Sequence, residues 1–452
     1  MGLARVKTFV LENSSAWLVV ALLRRFVTKS DYQSKRESVT FFQHANVAYG
    51  AHKQRRSVRL LRVAFGLLGD ELPMSYVRLI IGATNQTQRD LSRRGALSRE
   101  ILDATKALAI DITDATGWYQ LSRGLFSVGY FRAAWVAREN SIVLSIREGE
   151  AAGAGANAVG RAIQAHLERR NFAEVEALLA KSVGQITDSG LRDIRDYLDI
   201  MQNKYVMPPL DSNSPSFDAE KLFSELITGK SVALVGRGSP SGQYGNEIDS
   251  ADTVFRLKYM GKQYLGLQKF HGHRCDVSQF NSLEALIELS KIGQPQELIE
   301  DLKIVLCVTP VPQVSLQGKP ILQTISVETL YRTTCVSGMR SLSQAMRFAP
   351  KSLKVFGFDF YSKVEFYSFE TLKFLQSGSP VFADPYMHQF KGHISRDEIP
   401  WSFSGHDPVS NFCFAQNLYQ AGMFEIEPFG ASILALTSYQ YVERLEEMLG
   451  DW

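Results

Sequence analysis

The chain has 452 residues, 45% of them hydrophobic and 21% charged, with a formal net charge of +3. Such a length suggests two or three domains, and the composition excludes a disordered, collagen-like or disulfide-scaffold protein. The small net charge gives no ground for a nucleic-acid partner, and no base-stacking aromatic motif accompanies the basic residues.

The first seventy residues carry a local basic excess. Arg24, Arg25, Lys29, Lys35, Arg36, Arg55 and Arg56 are interleaved with Trp17, Leu22, Leu23 and Phe26. This pattern suits peripheral contact with an anionic membrane surface. The apolar segment Ala16 to Leu23 ends at Arg24-Arg25 and is too short to span a bilayer, and no secretory signal is visible. Residues 1–205 read as helical. Trp118, Leu121, Leu125, Gly129, Phe131 and Ala134 follow the spacing of a tetratricopeptide-like helix pair. Ala162 to Leu179 reads as another pair turning at Arg169-Arg170-Asn171, and Val39 to Leu61 as a degenerate third. Residues 206–217, with Pro208-Pro209 and the polar run to Pro215, read as a linker.

Residues 218–452 alternate between helix and strand patterns. Glu220 to Ile227 reads as a helix and Val232 to Val235 as a buried strand. A small-residue turn follows, and then a strand from Thr253 to Leu257. Ser282 to Lys291 reads as a helix, Ile304 to Val308 as a strand, and the run from Val355 onwards as another. Between the last two, Met339, Leu342, Ala345 and Met346 recur at helical spacing behind Ser337-Gly338. This alternation predicts an α/β fold: a Rossmann-like, doubly wound, mostly parallel sheet preceded by an all-α helical-repeat domain. Cys275, Cys307, Cys335 and Cys413 have no metal-ligand spacing and read as buried thiols of a cytoplasmic protein.

Two places in this half suit an anion. The turn Gly236-Arg237-Gly238-Ser239 lets backbone approach a phosphate, and the helix opening at Ser337-Gly338 offers free amides and a favourable dipole. The turn lacks the third glycine of the dinucleotide fingerprint and the Gly-Lys-Ser/Thr of a Walker loop.

The longer pattern Val235-Gly236, Tyr244-Gly245, Ile248-Asp249, Asp252, Val254 and Arg256 resembles the large sialylmotif of the sialyltransferase family (glycosyltransferase family 29). Cys335 to Gly338, with Lys354 to Tyr361, resembles its small motif. Tyr386-Met387-His388 and Gly405-His406-Asp407-Pro408 resemble its two C-terminal motifs. The resemblance covers about 220–430. It implies a sialyltransferase-like fold and a donor that is the cytidine monophosphate (CMP) ester of a 2-keto sugar acid, sialic acid or Kdo. It also implies a glycan or glycolipid acceptor, with His406 as general base and His388 assisting phosphate departure; His393 is a nearby competitor for the second role. Gly236, Gly238, Ser239, Ser337 and Gly338 would support the donor. Arg237 and Lys258 stand where the family usually has Asn, and both add a cation for a phosphate or carboxylate. Asn411 replaces the family's Glu, and Val232 its disulfide cysteine. The sequence contains no Asp-x-Asp pair, so the resemblance implies a metal-independent enzyme with no cofactor besides its donor. Two alternatives stand beside this reading. One is a retaining Kdo transferase with Asp249, Asp252 or Asp276 as nucleophile. The other is a non-catalytic helical-repeat adaptor with a degenerate transferase half.

Overall fold

The computed structural model describes residues 104, 108, 113–127, 129–182, 188–202, 204–207, 209–212, 214, 216–238, 240–257, 259, 268–280, 302–308, 319–324, 329–363, 403 and 406–449. Several expectations lie outside the described residues: the basic first seventy residues, the Val39 to Leu61 pair, the Ser282 to Lys291 helix, and Ser239, Lys258, His388 and His393. The described residues group into two compact units, one ending at Ala152 and including Leu449, the other Gly153–Met448.

In the first unit, α1 (Ala115–Ser127) and α2 (Phe131–Glu150) pack against each other. Trp118, Leu121 and Leu125 of α1 are buried, and small Ala133, Ala134 and Ala137 of α2 let them approach. Gly129 adopts φ +88° in the turn, a conformation that glycine enters without side-chain strain. Phe126 and Phe131 flank that turn with ring centroids 6.0 Å apart.

The second unit begins with α3 (Ala156–Glu168), α4 (Phe172–Lys181) and α5 (Asp188–Met201). The turn between α3 and α4 falls at Arg169 to Asn171, as the sequence suggests, with Arg170 at φ +58°. Helix α6 (Phe217–Ile227) follows. Then come β1 (Ser231–Val235), α7 (Gly245–Ser250), β2 (Thr253–Leu257), α8 (Gln268–His271), β3 (Val277–Phe280), β4 (Ile304–Cys307) and β5 (Ile321–Gln323). Helix α9 (Ser337–Met346), β6 (Ser352–Phe356), α10 (Pro408–Gln420), β7 (Glu425–Ile426), α11 (Pro428–Leu434) and α12 (Ser438–Leu449) complete the described elements.

The strands form a seven-stranded sheet in the order β5-β4-β3-β2-β1-β6-β7, and every pairing is parallel. An all-parallel sheet buries both faces, which is why β1 reads as an unbroken apolar run. Ala233, Val235, Ile248, Val254 and Phe356 form one core cluster beside it. Phe223 of α6 is fully buried and meets Phe348 and Phe255 edge-on at 4.9 and 6.1 Å. Strand β6 starts and stops earlier than the run from Val355 suggests. It ends at Phe356 because Gly357 turns the chain at φ +66°. The four cysteines are free and buried.

Helices α3 to α5 belong to the same compact unit as the sheet. Tyr197 of α5 stacks on Phe414 of α10 at 5.4 Å, and Arg347 after α9 pairs with Asp196 at 2.9 Å. Asn417 Nδ2 donates to the Glu168 carbonyl at 3.2 Å. The compact unit therefore starts ahead of the 206–217 segment, at Gly153. Among the described residues, no helix is long and apolar enough to cross a membrane.

Candidate functional site

The sheet order places β1 between β2 and β6. The chain winds outward from β1 to β5, then returns to lay β6 on the other side. Such a reversal opens a crevice at the carboxyl ends of the two central strands. The turn after β1, the loop after β6 and the N-termini of α9 and α10 all lie at this edge, because each helix runs back against the strand that follows it.

At the crevice the two central turns are locked together. The Gly236 amide donates to Phe356 O at 2.8 Å and the Gly238 amide to Gly357 O at 3.1 Å. A Cβ on Gly238 would stand 2.9 Å from Gly357 O. Cβ atoms on Gly236 and Gly338 would strike the Phe358 ring. These glycines therefore serve a close approach of chain to chain and to Phe358. The amides of Gly236 and Gly238 are engaged by β6 and its loop rather than open to a phosphate. Arg237, between them, is half-buried.

The remainder of the large-motif pattern has structural partners. Tyr244 packs on Phe356 at 5.5 Å, Ile248 is buried, and Gly245 lies against the Gln268 carbonyl. Arg256 donates to the carbonyls of Arg274 and His271, both at 2.6 Å. Asp249 accepts the His273 amide at 3.0 Å and the Arg274 amide at 2.9 Å. Asp252 accepts the Ser231 amide at 2.8 Å. Asp276 accepts the Val254 amide at 2.9 Å and pairs with Lys303 at 2.8 Å. The partners of the three carboxylates stand where the chain enters β1, β2, β3 and β4, the opposite end of the sheet from the crevice. The three carboxylates offered for a retaining mechanism thus organise strand starts and lie away from the crevice.

His406 sits where α9 and α10 begin together. Its Nδ1 lies 3.2 Å from Thr334 O and 3.3 Å from Thr334 Oγ1. A carbonyl only accepts, so Nδ1 carries the proton and Nε2 keeps its lone pair. Burial lowers the His406 pKa, the bond to Thr334 opposes that shift, and the charge of Arg340 adds to it. The flanking segment is tightly fixed. Asp407 caps α10 through the amides of Val409 (2.8 Å) and Ser410 (3.1 Å), ahead of Pro408 at the first turn. The Asp407 amide donates to Thr333 Oγ1 at 3.0 Å. Asn411 Oδ1 accepts the Val336 amide at 2.9 Å, and its Nδ2 donates to Asp407 O at 2.8 Å. The amide side chain of Asn411 thus joins the two helix starts by donating and accepting at once.

Helix α9 has Val336 at its N-cap and no side-chain cap. The amides of Gly338 and Met339 therefore lack an intrahelical acceptor. Ser337 is half-buried and Gly338 buried beside them.

Two further residues at this edge escaped the sequence reading. Arg340 lies in the second half of the first turn of α9 and is only 9% exposed. Asp359 follows β6; its Oδ1 accepts the Tyr361 amide at 3.0 Å, while Oδ2 is buried without a hydrogen-bond partner beside Gly238. Burial pushes the Asp359 pKa up to about 6 against the pull of the Tyr361 amide and Lys363, with nearby Glu427 adding to the rise. Glu427 fixes the same loop by accepting the Gly357 amide at 2.8 Å and Ser241 Oγ at 2.9 Å. Phe360 and Tyr361 hold φ of +51° and +61°, a strained pair of the kind concentrated at working sites. The sequence signal for Asp359 was an acid set in the aromatic run Phe358 to Tyr361.

No protein-family model and no curated protein matches this chain. Among the described residues, no group of three or more His, Cys, Asp and Glu side chains is arranged to hold a metal ion.

Proposed function

We infer that the chain is a glycosyltransferase that moves a 2-keto sugar acid, sialic acid or Kdo, from its CMP ester to a glycan or glycolipid hydroxyl. The observation that carries this reading is His406, with Nδ1 tied to Thr334 and the lone pair left on Nε2, beside the uncapped start of α9 at the switch point of the sheet. In the reaction, Nε2 takes the proton of the acceptor hydroxyl as that oxygen attacks the anomeric carbon. The bond from that carbon to the phosphate oxygen breaks, and cytidine monophosphate leaves with the bonding pair. The amides of Gly338 and Met339 receive the departing charge. Attack opposite the leaving group inverts the anomeric centre. A depressed imidazole pKa keeps His406 neutral, and so able to act as a base, at physiological pH.

The helix pairs and the basic first seventy residues belong to the same proposal, as the part that brings the enzyme to a membrane-linked acceptor. A second reading, an adaptor with a degenerate transferase half, is favoured by the Phe358 ring filling the space over Gly236 and Gly338. A donor screen decides between them. CMP-linked and nucleotide-diphosphate-linked sugars are offered with and without EDTA, and free nucleotide is measured. The transferase reading expects release from a CMP-linked sugar acid that survives EDTA. The adaptor reading expects no release from any donor.

A further inference from the structure

Among the described residues, Arg340 is a buried cation without an anion. Among the described residues its side chain makes no hydrogen bond or ion pair, although it is only 9% exposed. Burying an unpaired charge is costly, so folds retain one where a ligand supplies the partner. Helical side chains lean toward the N-terminus of their own helix, which carries Arg340 over the first turn of α9. His406 is held by Thr334, two residues ahead of the N-cap Val336, so the imidazole stands at the same start of α9, where the charge of Arg340 also lowers its pKa. The amides of Gly338 and Met339, without an intrahelical acceptor, belong to the same turn.

We propose that Arg340, with the open amides of α9, binds an oxyanion of the substrate directly beside His406. The planar guanidinium fork matches two oxygens of a carboxylate or a phosphate. In the transferase reading these are the carboxylate on the anomeric carbon of the sugar acid and the phosphate of the donor. The inference takes the identity of the anion from that reading, but not its existence. With the carboxylate bound, Arg340 selects sugar acids over neutral sugars, because a neutral sugar leaves the charge unpaired.

The test is calorimetric titration of the full chain with inorganic phosphate, cytidine monophosphate and the free sugar acid (N-acetylneuraminate or Kdo). The unaltered protein is compared with Arg340→Met and Arg340→Lys. Arg340→Met is expected to weaken binding of at least one probe by about tenfold or more, as for loss of a charge-assisted hydrogen bond, and Arg340→Lys to lose part of it. A loss confined to the sugar acid assigns the carboxylate. A loss shared by phosphate and cytidine monophosphate assigns the phosphate. Phosphate binding that depends on Arg340, with no binding of the other two probes, upholds this site and overturns the CMP-donor reading. Thermal melting without ligand supplies a second readout. Removing an unpaired buried charge should raise the melting temperature of Arg340→Met, whereas a structural arginine would lower it. Equal affinities in all three proteins, no binding of any probe to the unaltered protein, or a lower melting temperature in Arg340→Met would overturn the proposal.

Discussion

His406 Nδ1 is held 3.2 Å from the Thr334 carbonyl, and this contact decides which imidazole nitrogen can do chemistry. The carbonyl demands a proton on Nδ1, so the lone pair is left on Nε2. The tautomer is thus set by backbone at the entry to α9, and Asn411 holds that backbone to the start of α10.

The acid limb of the pH–rate profile follows from this arrangement. Burial, with Arg340 adding to it, holds the His406 pKa below its ordinary 6.5. The base is therefore neutral at and above pH 6.5, and kcat/KM should begin to fall only at more acid pH, as the ring takes a proton. Steady-state rates between pH 4.5 and 8 check this. A limb centred above 6.5 contradicts it.

Stability should depend on pH through two buried groups of opposite sign. Burial depresses the His271 pKa from 6.5 to about 4, with Arg256 adding to the effect. The neutral ring is favoured in the fold, so its contribution is complete above pH 6.5 and is lost as pH falls toward 4; the full span is about 3 kcal/mol. Asp359 is raised from 3.8 to about 6. Its ionised form is penalised in the fold, so that cost grows as pH rises from 3.8 to 6 and stays constant above. Asp359→Asn should therefore stabilise the protein near pH 7.5 and have little effect near pH 3.8. Denaturant melts of the variant at both pH values test the sign.

Asp276 should matter for folding and not for chemistry. It takes the Val254 amide and pairs with Lys303 and Arg274 at the entry to β3. Asp276→Ala leaves a buried amide and two cations without it, at a cost of about 3 kcal/mol. Turnover per folded molecule should be unchanged. Retained stability with abolished turnover would return Asp276 to the reacting centre.

The starting point of a truncated protein should decide its behaviour. Beginning at Ser216 removes α3 to α5 and uncovers Phe414, Asn417 and Arg347. Beginning at Gly153 keeps those contacts. The Gly153 fragment should elute as a monodisperse species with a cooperative melt, and the Ser216 fragment should aggregate or melt at lower temperature. Equal behaviour would support the 206–217 segment as a boundary between independent bodies.

Much of the α/β unit was legible in the sequence where a single physical signal dominated. Val232 to Val235 and Ile304 to Cys307 are apolar throughout because parallel strands are covered on both faces. Ser337 announces a helix through first-turn chemistry. Strands β3, β5 and β7 were not legible. VSQF, ILQ and EI are short and mix polar residues such as Ser278 and Gln279, whose burial is made tolerable by partners distant in the chain. Ser278 Oγ takes the Tyr259 amide at 3.0 Å, and Gln279 meets Ser341 of α9. The glycines of the β1 turn suggest room for a ligand, yet the residue filling that room, Phe358, lies 122 positions after Gly236 and is brought there only by the β1–β6 pairing. Arg340 carries no sequence signal of its burial, since nothing local tells an exposed arginine from a buried one.

The most direct test of the central claim is release of cytidine monophosphate from CMP-sialic acid and CMP-Kdo in the presence of a glycan acceptor, compared between the unaltered protein and His406→Ala. Turnover of at least one donor is expected, lowered by about two to four orders of magnitude in the variant, with affinity for cytidine monophosphate retained. Near-normal turnover in His406→Ala, or release only from nucleotide-diphosphate sugars, would contradict that claim.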